Sequence, residues 1–442
     1  MTWTIQQIEH TFLGYMRAHG HAVIGGHSVR SPTDDVLFTT AGMHPLVPYL
    51  RGDLPHPAGP RLTDVQRCVR TTDIDQVGDD THLTVFEMLG NWSLGDYFKA
   101  TSIPQSFELL SGELGLDPHQ LYVTVFGGGA EVPADDEAPS IWAQTFADAG
   151  VDPTGRITQL GEDDNWWSNG PVGLCGPDTE IFVHVGEGAA PPFGDRPEFV
   201  EIWNNVFMTY DRAADGTLTQ LARRNVDTGM GLERLALFLG GHESVWETDE
   251  LHELTVTVGD ALGLSGDDLE GDARISLRIV TDHLRAGLAI AAAGIRPSAS
   301  RHGYVLRKLI RRAVRHSELL RGTDRALAET LVTATGAASS VMGRRWSDVG
   351  PGAGGDTARE TVEQEAHKFS RTLRRGVDQL EQRAHGAATF DGDLAFHLAD
   401  TMGYPVELSA EEATRLGMTF AVDWESRYED LREAQQIRSR AG

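Results

Sequence analysis

Apolar residues at Ile5, Ile8, Phe12 and Met16 recur every three or four positions, which predicts an amphipathic helix over residues 5–18. Leu121-Tyr-Val-Thr-Val-Phe126 is a continuous β-prone run ahead of a glycine-rich turn and predicts a buried strand. Val85 to Leu89, Glu180 to Val185 and Glu201 to Tyr210 carry the same signal. Strands interrupted by helices at no regular βαβ spacing predict an α+β architecture around a largely antiparallel sheet.

Near residue 245 the pattern turns helical. Leu277 to Ala293 is rich in Ala, Leu and Ile and runs into Gly294 and Pro297, a helix with its stop signal. Val305 to His316 predicts a second helix. Phe369, Leu373, Val377 and Leu380, spaced 4, 4 and 3, mark a long amphipathic third. Residues 343–355 hold five glycines and one proline and read as a loop. The expected organisation is therefore two domains, a mixed one over 1–245 and a helical one over 246–442, and 442 residues suit that count.

Composition narrows the chemistry. With 38 basic against 65 acidic residues the net charge is −27, which excludes a generic nucleic-acid-coating protein but leaves room for a local basic face. The three lysines, Lys99, Lys308 and Lys368, do not follow glycines, so there is no GxxxxGK[ST] phosphate loop. Two cysteines, Cys68 and Cys175, are too few for a disulfide framework or a cysteine-based zinc site, and no HxxxH pair exists. No leader-like N-terminus or run of about 18 apolar residues occurs, so a soluble cytoplasmic protein without membrane contact is expected.

Three constellations carry chemistry. In Asp227-Thr-Gly-Met-Gly-Leu-Glu-Arg234, Gly229 and Gly231 let backbone approach a flat ligand, and Arg234 offers a planar fork to phosphate. The bland alternative is a helix start capped by Asp227 with a solvated Arg234. In Gln66-Arg-Cys-Val-Arg70 and His82 to Phe98, two strands joined by a polar loop form a long hairpin whose Arg70 and Phe86 could clamp a nucleotide. An ordinary hairpin with Phe86 in the core fits the same residues. The third, Trp166-Trp167 with Cys175-Gly-Pro-Asp-Thr-Glu180 and Glu201-Ile-Trp-Asn-Asn-Val-Phe207, suits either a small polar-rimmed pocket or core tryptophans beside a turn.

Taken together these segments resemble the alanyl-tRNA synthetases, a class II aminoacyl-tRNA synthetase family. The resemblance lies in Leu37-Phe-Thr-Thr-Ala-Gly-Met43, Cys68-Val-Arg70, Phe86-Glu-Met-Leu-Gly-Asn91, Gly95-Asp-Tyr-Phe-Lys99, Cys175-Gly-Pro177, Glu201-Ile-Trp-Asn204 and Val226 to Arg234. It continues through Gly303 to His316, Asp400-Thr401 and Gly403-Tyr-Pro-Val406. It implies a six-stranded antiparallel sheet flanked by helices, then a helical domain for the tRNA acceptor stem. Two reactions follow: alanine carboxylate attacks the α-phosphate of ATP, and the terminal ribose hydroxyl of tRNA attacks the alanyl-adenylate. A carboxylate is already ionised at neutral pH, so the first step needs alignment and charge cancellation, from arginine and Mg2+, rather than a general base.

The resemblance also implies roles. Arg70 would hold the α-phosphate and Arg234 the far phosphates, as the two catalytic cations. Phe86 would stack on adenine, with backbone near Met88 reading its edge, and His82 and Gly231 would complete the ATP site. Asp227 would bind the alanine ammonium, in a pocket shaped by Trp167, Asn204, Val206 and Gly229. Residues 301–321 hold seven Arg or Lys and one Glu, and Arg307, Lys308, Arg311, Arg312 and Arg315 would face tRNA phosphates, with Asp400 at the acceptor-stem wobble pair.

Several features depart from the family pattern. The 71–81 loop lacks the usual glycines and lysine, and Ala299 stands where a wobble-reading asparagine is expected. Only the catalytic and tRNA-recognition parts are expected here, with no editing domain. Alanyl transfer to a small molecule or carrier protein, or a non-catalytic regulatory paralogue, are the alternative readings.

Overall fold

A computed structural model of the chain describes residues 3–32, 36–186, 193, 198–265, 269–321, 327–385 and 389–441. It divides into two compact units, one formed by Met1–Asp75 with Asp80–His252, the other by Gln76–Asp79 with Glu253–Gly442.

The first unit is built on β1 (Ala22–Val23), β2 (Arg61–Val69), β3 (Val85–Ser93), β4 (Leu121–Phe126), β5 (Ile157–Leu160), β6 (Trp166–Ser168), β7 (Gly173–His184), β8 (Phe199–Arg212) and β9 (Leu218–Gly231). They form one sheet in the order β1-β2-β3-β9-β8-β7-β4-β5, with β6 beside β7. The six strands from β2 to β4 in that order are mutually antiparallel, the number that the resemblance implies. Parallel edge strands β1 and β5, together with β6, enlarge the sheet to nine among the described residues.

Strands run further than local pattern suggests. β3 continues through Gly90-Asn-Trp-Ser93, and β7 begins ahead of Gly176-Pro177, a dipeptide that reads as a turn. A register shift between Cys175 and Asp178 accommodates the proline, as expected for proline within a strand. Pairing on both sides overrides weak local propensity there.

One sheet face is closed by the helices Ile5–Ala18, Lys99–Glu108, Glu137–Asp148 and Leu232–Gly240. The first carries the predicted stripe, with Ile5, Ile8, Phe12 and Met16 buried, and a Thr4–Gln7 capping box sets its start. These side chains meet Leu89, Val123, Trp203, Phe207, Val226 and Met230 in one core. The opposite face holds a smaller apolar cluster of Met43, Leu46, Leu62, Trp92, Val206 and Met208. Most of the candidate ATP and alanine residues stand on this second face.

The second unit is helical. Gly271–Ala292 is buried on all sides over residues 276–291, and Arg301–Arg321 packs along it. Ala353–His385 buries Phe369, Leu373, Val377 and Leu380, as their spacing predicts. Between Leu327–Met342 and Ala353–His385 the chain crosses itself: a Cβ on Gly343 would lie 2.2 Å from the Cα of Gly350, so both positions require glycine. No helix among the described residues is long and apolar enough to cross a membrane.

Candidate active site

Strand register assembles the site. Because successive side chains point to opposite faces, the residues that alternate with core Leu89, Val226, Met230 and Phe207 share the second face. Those are Phe86, Met88, Gly90 and Trp92 on β3, Asp227, Gly229 and Gly231 on β9, and Asn204 and Val206 on β8. Asp227 lies opposite Trp92 on one side and Val206 on the other; Gly229 lies between Gly90 and Asn204, and Gly231 opposite Met88. The Asp-Thr-Gly-Met-Gly motif therefore occupies three successive rungs of the six-strand platform.

A cleft opens onto that platform. Arg70, His82, Phe86, Met88, Gly229, Gly231 and Arg234 all line it. Arg70 follows β2 directly and its guanidinium lies 5.0 Å above the Phe86 ring, a cation–π pair held open to solvent. Phe86 is only half-buried, so it is not an ordinary core residue. A Cβ on Gly229 would stand 2.7 Å from Met88 Sδ, so the glycine keeps the cleft floor flat. Arg234, one turn into the helix after β9, donates to the Glu201 carbonyl at 3.1 Å and lies 3.9 Å from the Glu201 carboxylate.

The motif does not cap a helix through Asp227. β9 runs to Gly231, which is itself the N-cap of Leu232–Gly240, and the Glu233 carboxylate accepts the Glu87 N–H at 3.0 Å to tie that helix start to β3. Asp227 is instead buried within the sheet, one rung from Gly229, and accepts a 2.6 Å hydrogen bond from Trp92 Nε1. Burial pushes its carboxyl up to about 7, against the lowering effect of that bond. Trp167, on β6, packs against the apolar cluster that contains Val206.

Asn204 donates to Asp178 at 3.3 Å and to Glu180 at 3.4 Å, both on β7. Burial raises Asp178 to about 7, and burial with the Glu201 and Asp178 charges raises Glu180 to about 9. Asp178 and Glu180 belong to the segment read as either a pocket rim or a turn, whereas Asp64 on β2 was not legible as a site residue; its only sequence signal is an acidic residue in an otherwise buried strand. Among the described residues no group of three or more His, Cys, Asp or Glu could hold a metal ion by itself.

The basic helix differs from expectation. Arg312 is buried, donating from Nε to His283 Nε2 at 3.2 Å and pairing with Glu411 at 2.6 Å. Arg315 is buried between Glu318 and Glu412. Arg311 pairs with Glu365 at 2.8 Å, donates to the Gly403 carbonyl and lies over the Phe369 ring. Arg312 and Arg315 thus have almost no surface to offer a phosphate, because Glu411 and Glu412, about 100 positions later in the same unit, cover them. Arg307 and Lys308 are half-buried and Asp400 is exposed. Ala299 is exposed in the turn ahead of Arg301.

The sequence matches the family described as tRNA synthetases class II (A) over residues 7–442. It is 43% identical over 456 residues to the alanine–tRNA ligase of Treponema denticola, covering 99% of this chain and 73% of that protein. The Treponema pallidum alanine–tRNA ligase is 42% identical over 434 residues, with 93% of this chain and 68% of that one covered. Among solved structures, apo histidyl-tRNA synthetase of S. aureus superposes with a TM-score of 0.34 at 13% identity, over 58% of this chain and 76% of that one, a likeness too loose to build on. A match across nearly the whole chain, with relatives above 40% identity covered over two thirds of their length, means that the chain belongs to the alanine–tRNA ligase family of class II tRNA synthetases.

Proposed function

We propose that this protein activates alanine with ATP and transfers it to the 3′ end of tRNA, in the cytoplasm, using the cleft on the second sheet face. The observation that carries this reading is the convergence of Arg70, Phe86 and Arg234 on one cleft whose floor passes, one rung along, to the buried Asp227. Adenine stacks on Phe86, with the β3 backbone near Met88 at its edge. Arg70, already poised over that ring, holds the α-phosphate and the attacking carboxylate, and Arg234 holds the outer phosphates. His82 adds a donor on the phosphate side in place of the lysine that the 71–81 loop lacks.

Asp227 takes the alanine ammonium in a charge-assisted contact. Trp167, Val206, Asn204 and Gly229 set a pocket too small for larger side chains, while a missing methyl is worth only about 1–3 kcal/mol, so glycine is poorly rejected. Of the carboxylates lining the cleft, Glu201 beside Arg234 would be the one to help hold Mg2+ brought in on ATP. When bound, that ion neutralises phosphate charge. The arginines do the aligning, and no side chain need remove a proton from the attacking carboxylate. On the helical unit, Arg307, Lys308 and Asp400 are the candidates that remain for tRNA contact.

Alanine-dependent exchange of pyrophosphate into ATP, followed by charging of alanine tRNA with and without its acceptor-stem G·U pair, tests the reading. Brisk exchange with charging supports it. Exchange without charging would move the acceptor elsewhere, and no exchange would leave a non-catalytic protein. With Ala299 unable to hydrogen-bond through its side chain, equal charging of both tRNAs is the expected result.

A further inference from the structure

The segment Leu37-Phe-Thr-Thr-Ala-Gly-Met43 has no part in the reaction as described, yet the turn it forms touches several supports of the site. The Thr39 carbonyl accepts the Val69 N–H at 2.9 Å, and the Thr40 carbonyl accepts from Arg70 Nε at 3.4 Å. Gly42 faces Trp92: a Cβ there would stand 2.9 Å from the indole, the same indole that donates to Asp227. His44 comes next, only 3% exposed, and both its ring nitrogens are engaged. Nδ1 lies 3.2 Å from the Thr40 N–H nitrogen and must accept, because a backbone N–H can only donate. The neutral ring therefore carries its proton on Nε2, which donates to Asn169 Oδ1 at 3.1 Å.

Asn169 directly follows β6, the three-residue strand that carries Trp167. β6 pairs with β7 opposite Cys175-Gly-Pro177, and Pro177 has no N–H to give it. So short a strand, facing a proline, has few backbone hydrogen bonds to fix its angle, and the bond from His44 ties it down from outside the sheet. Trp167 packs against the cluster that includes Trp92 and Val206, the two residues paired with Asp227 on either side. A tilt of β6 is therefore felt beside Asp227, whereas Phe86 and Arg70 are placed by β3 and the end of β2.

We propose that His44 is a positioning residue: through Asn169 it fixes β6, and with it the Trp167 wall of the amino-acid pocket, and so sets the affinity for alanine. The inference rests on the alanine-ligase reading, which makes Trp167 that wall. Once alanine-dependent exchange is established for the parent, His44→Phe, which keeps a ring but neither hydrogen bond, should raise KM for alanine roughly fivefold, the scale of one buried hydrogen bond. kcat and KM for ATP should stay within a factor of two. Asn169→Ala, at a half-buried position, should give the same rise, and the double variant no more than either single one. His44→Gln, whose side-chain amide sets an N–H in the place of Nε2, should bring KM for alanine back within twofold of the parent. An alanine KM within twofold of the parent in either single variant, a KM for ATP that rises in step, effects that multiply in the double variant, or a Gln variant as impaired as Phe each overturns the inference. Should His44→Phe fail to fold, Asn169→Ala and His44→Gln are read by the same criteria. A parent without exchange sinks the ligase reading and this inference together, whereas an active parent with indifferent variants sinks this inference alone.

Discussion

Replacing Asp227 by Asn should push stability and substrate affinity in opposite directions. The carboxyl is buried, has one hydrogen bond, from Trp92, and is raised by burial from 3.8 to about 7. Between those values the folded protein keeps a proton that the unfolded chain has released, so stability falls as pH rises through that window and is level above it. At pH 8 the ionised group costs the unliganded protein roughly 4 kcal/mol, from about 3 pKa units. Asn keeps the shape without the charge, so the variant should be more stable than the parent by roughly 2–4 kcal/mol at pH 8, and by less than half of that at pH 5. Alanine binding moves the other way: loss of a charge-assisted contact worth about 2–3 kcal/mol raises KM for alanine about 30–150-fold, with KM for ATP little changed. In the parent, KM for alanine should also fall about tenfold from pH 6 to pH 8 as Asp227 ionises, and stay flat in the variant. Urea unfolding followed by tryptophan fluorescence at both pH values, with exchange kinetics alongside, reads all three. A variant less stable at pH 8, or one with the parental alanine KM, would refute the assignment.

Other substitutions probe the remaining parts of the structure. Arg70→Ala removes a solvent-open guanidinium and should cut exchange by about 10²–10³ with melting temperature nearly unchanged, the loss expected for one preorganised charge at the reacting phosphate. A large melting shift would instead make Arg70 structural. Gly229→Ala sets a methyl 2.7 Å from Met88 Sδ and should drive that side chain into the cleft, raising KM for ATP about tenfold at a stability cost of roughly 1–3 kcal/mol; unchanged ATP kinetics would show that the floor tolerates the methyl. Arg315→Ala strips the buried Glu318 of its Arg315 partner and leaves Glu412 to Arg415 alone, so thermal unfolding should report a loss of about 3–5 kcal/mol. Unaltered melting with lost charging would return Arg315 to the tRNA contacts.

Much of the candidate site face is legible in the sequence. Alternation in the Asp227 segment carries its two glycines and its aspartate to one side, and a run of motifs in order along the chain points to one family. Phe86 and Arg70 were ambiguous between core and clamp because a hairpin pattern does not say which face is covered; the stack at 5.0 Å on a half-buried ring shows the open side. Asp64 was passed over, and Asp178 and Glu180 stayed ambiguous between pocket rim and turn, because an acid in a strand looks solvated until its neighbours are known, and here those neighbours stand on other strands, as Asn204 does for Asp178 and Glu180.

By itself the sequence determined the helical stripes, the core of the six-stranded platform and the family, since periodicity and motif spacing are local properties that the chain carries wherever it goes. Only the tertiary structure decided the fate of the charges. The helix Arg301–Arg321 has a polar side that reads as a free basic face, yet Glu365, Glu411 and Glu412 fold back onto it and bury Arg312 and Arg315. Whether a charge meets water or a partner depends on what a remote segment brings to it, and the cost of burying a charge makes that partner indispensable.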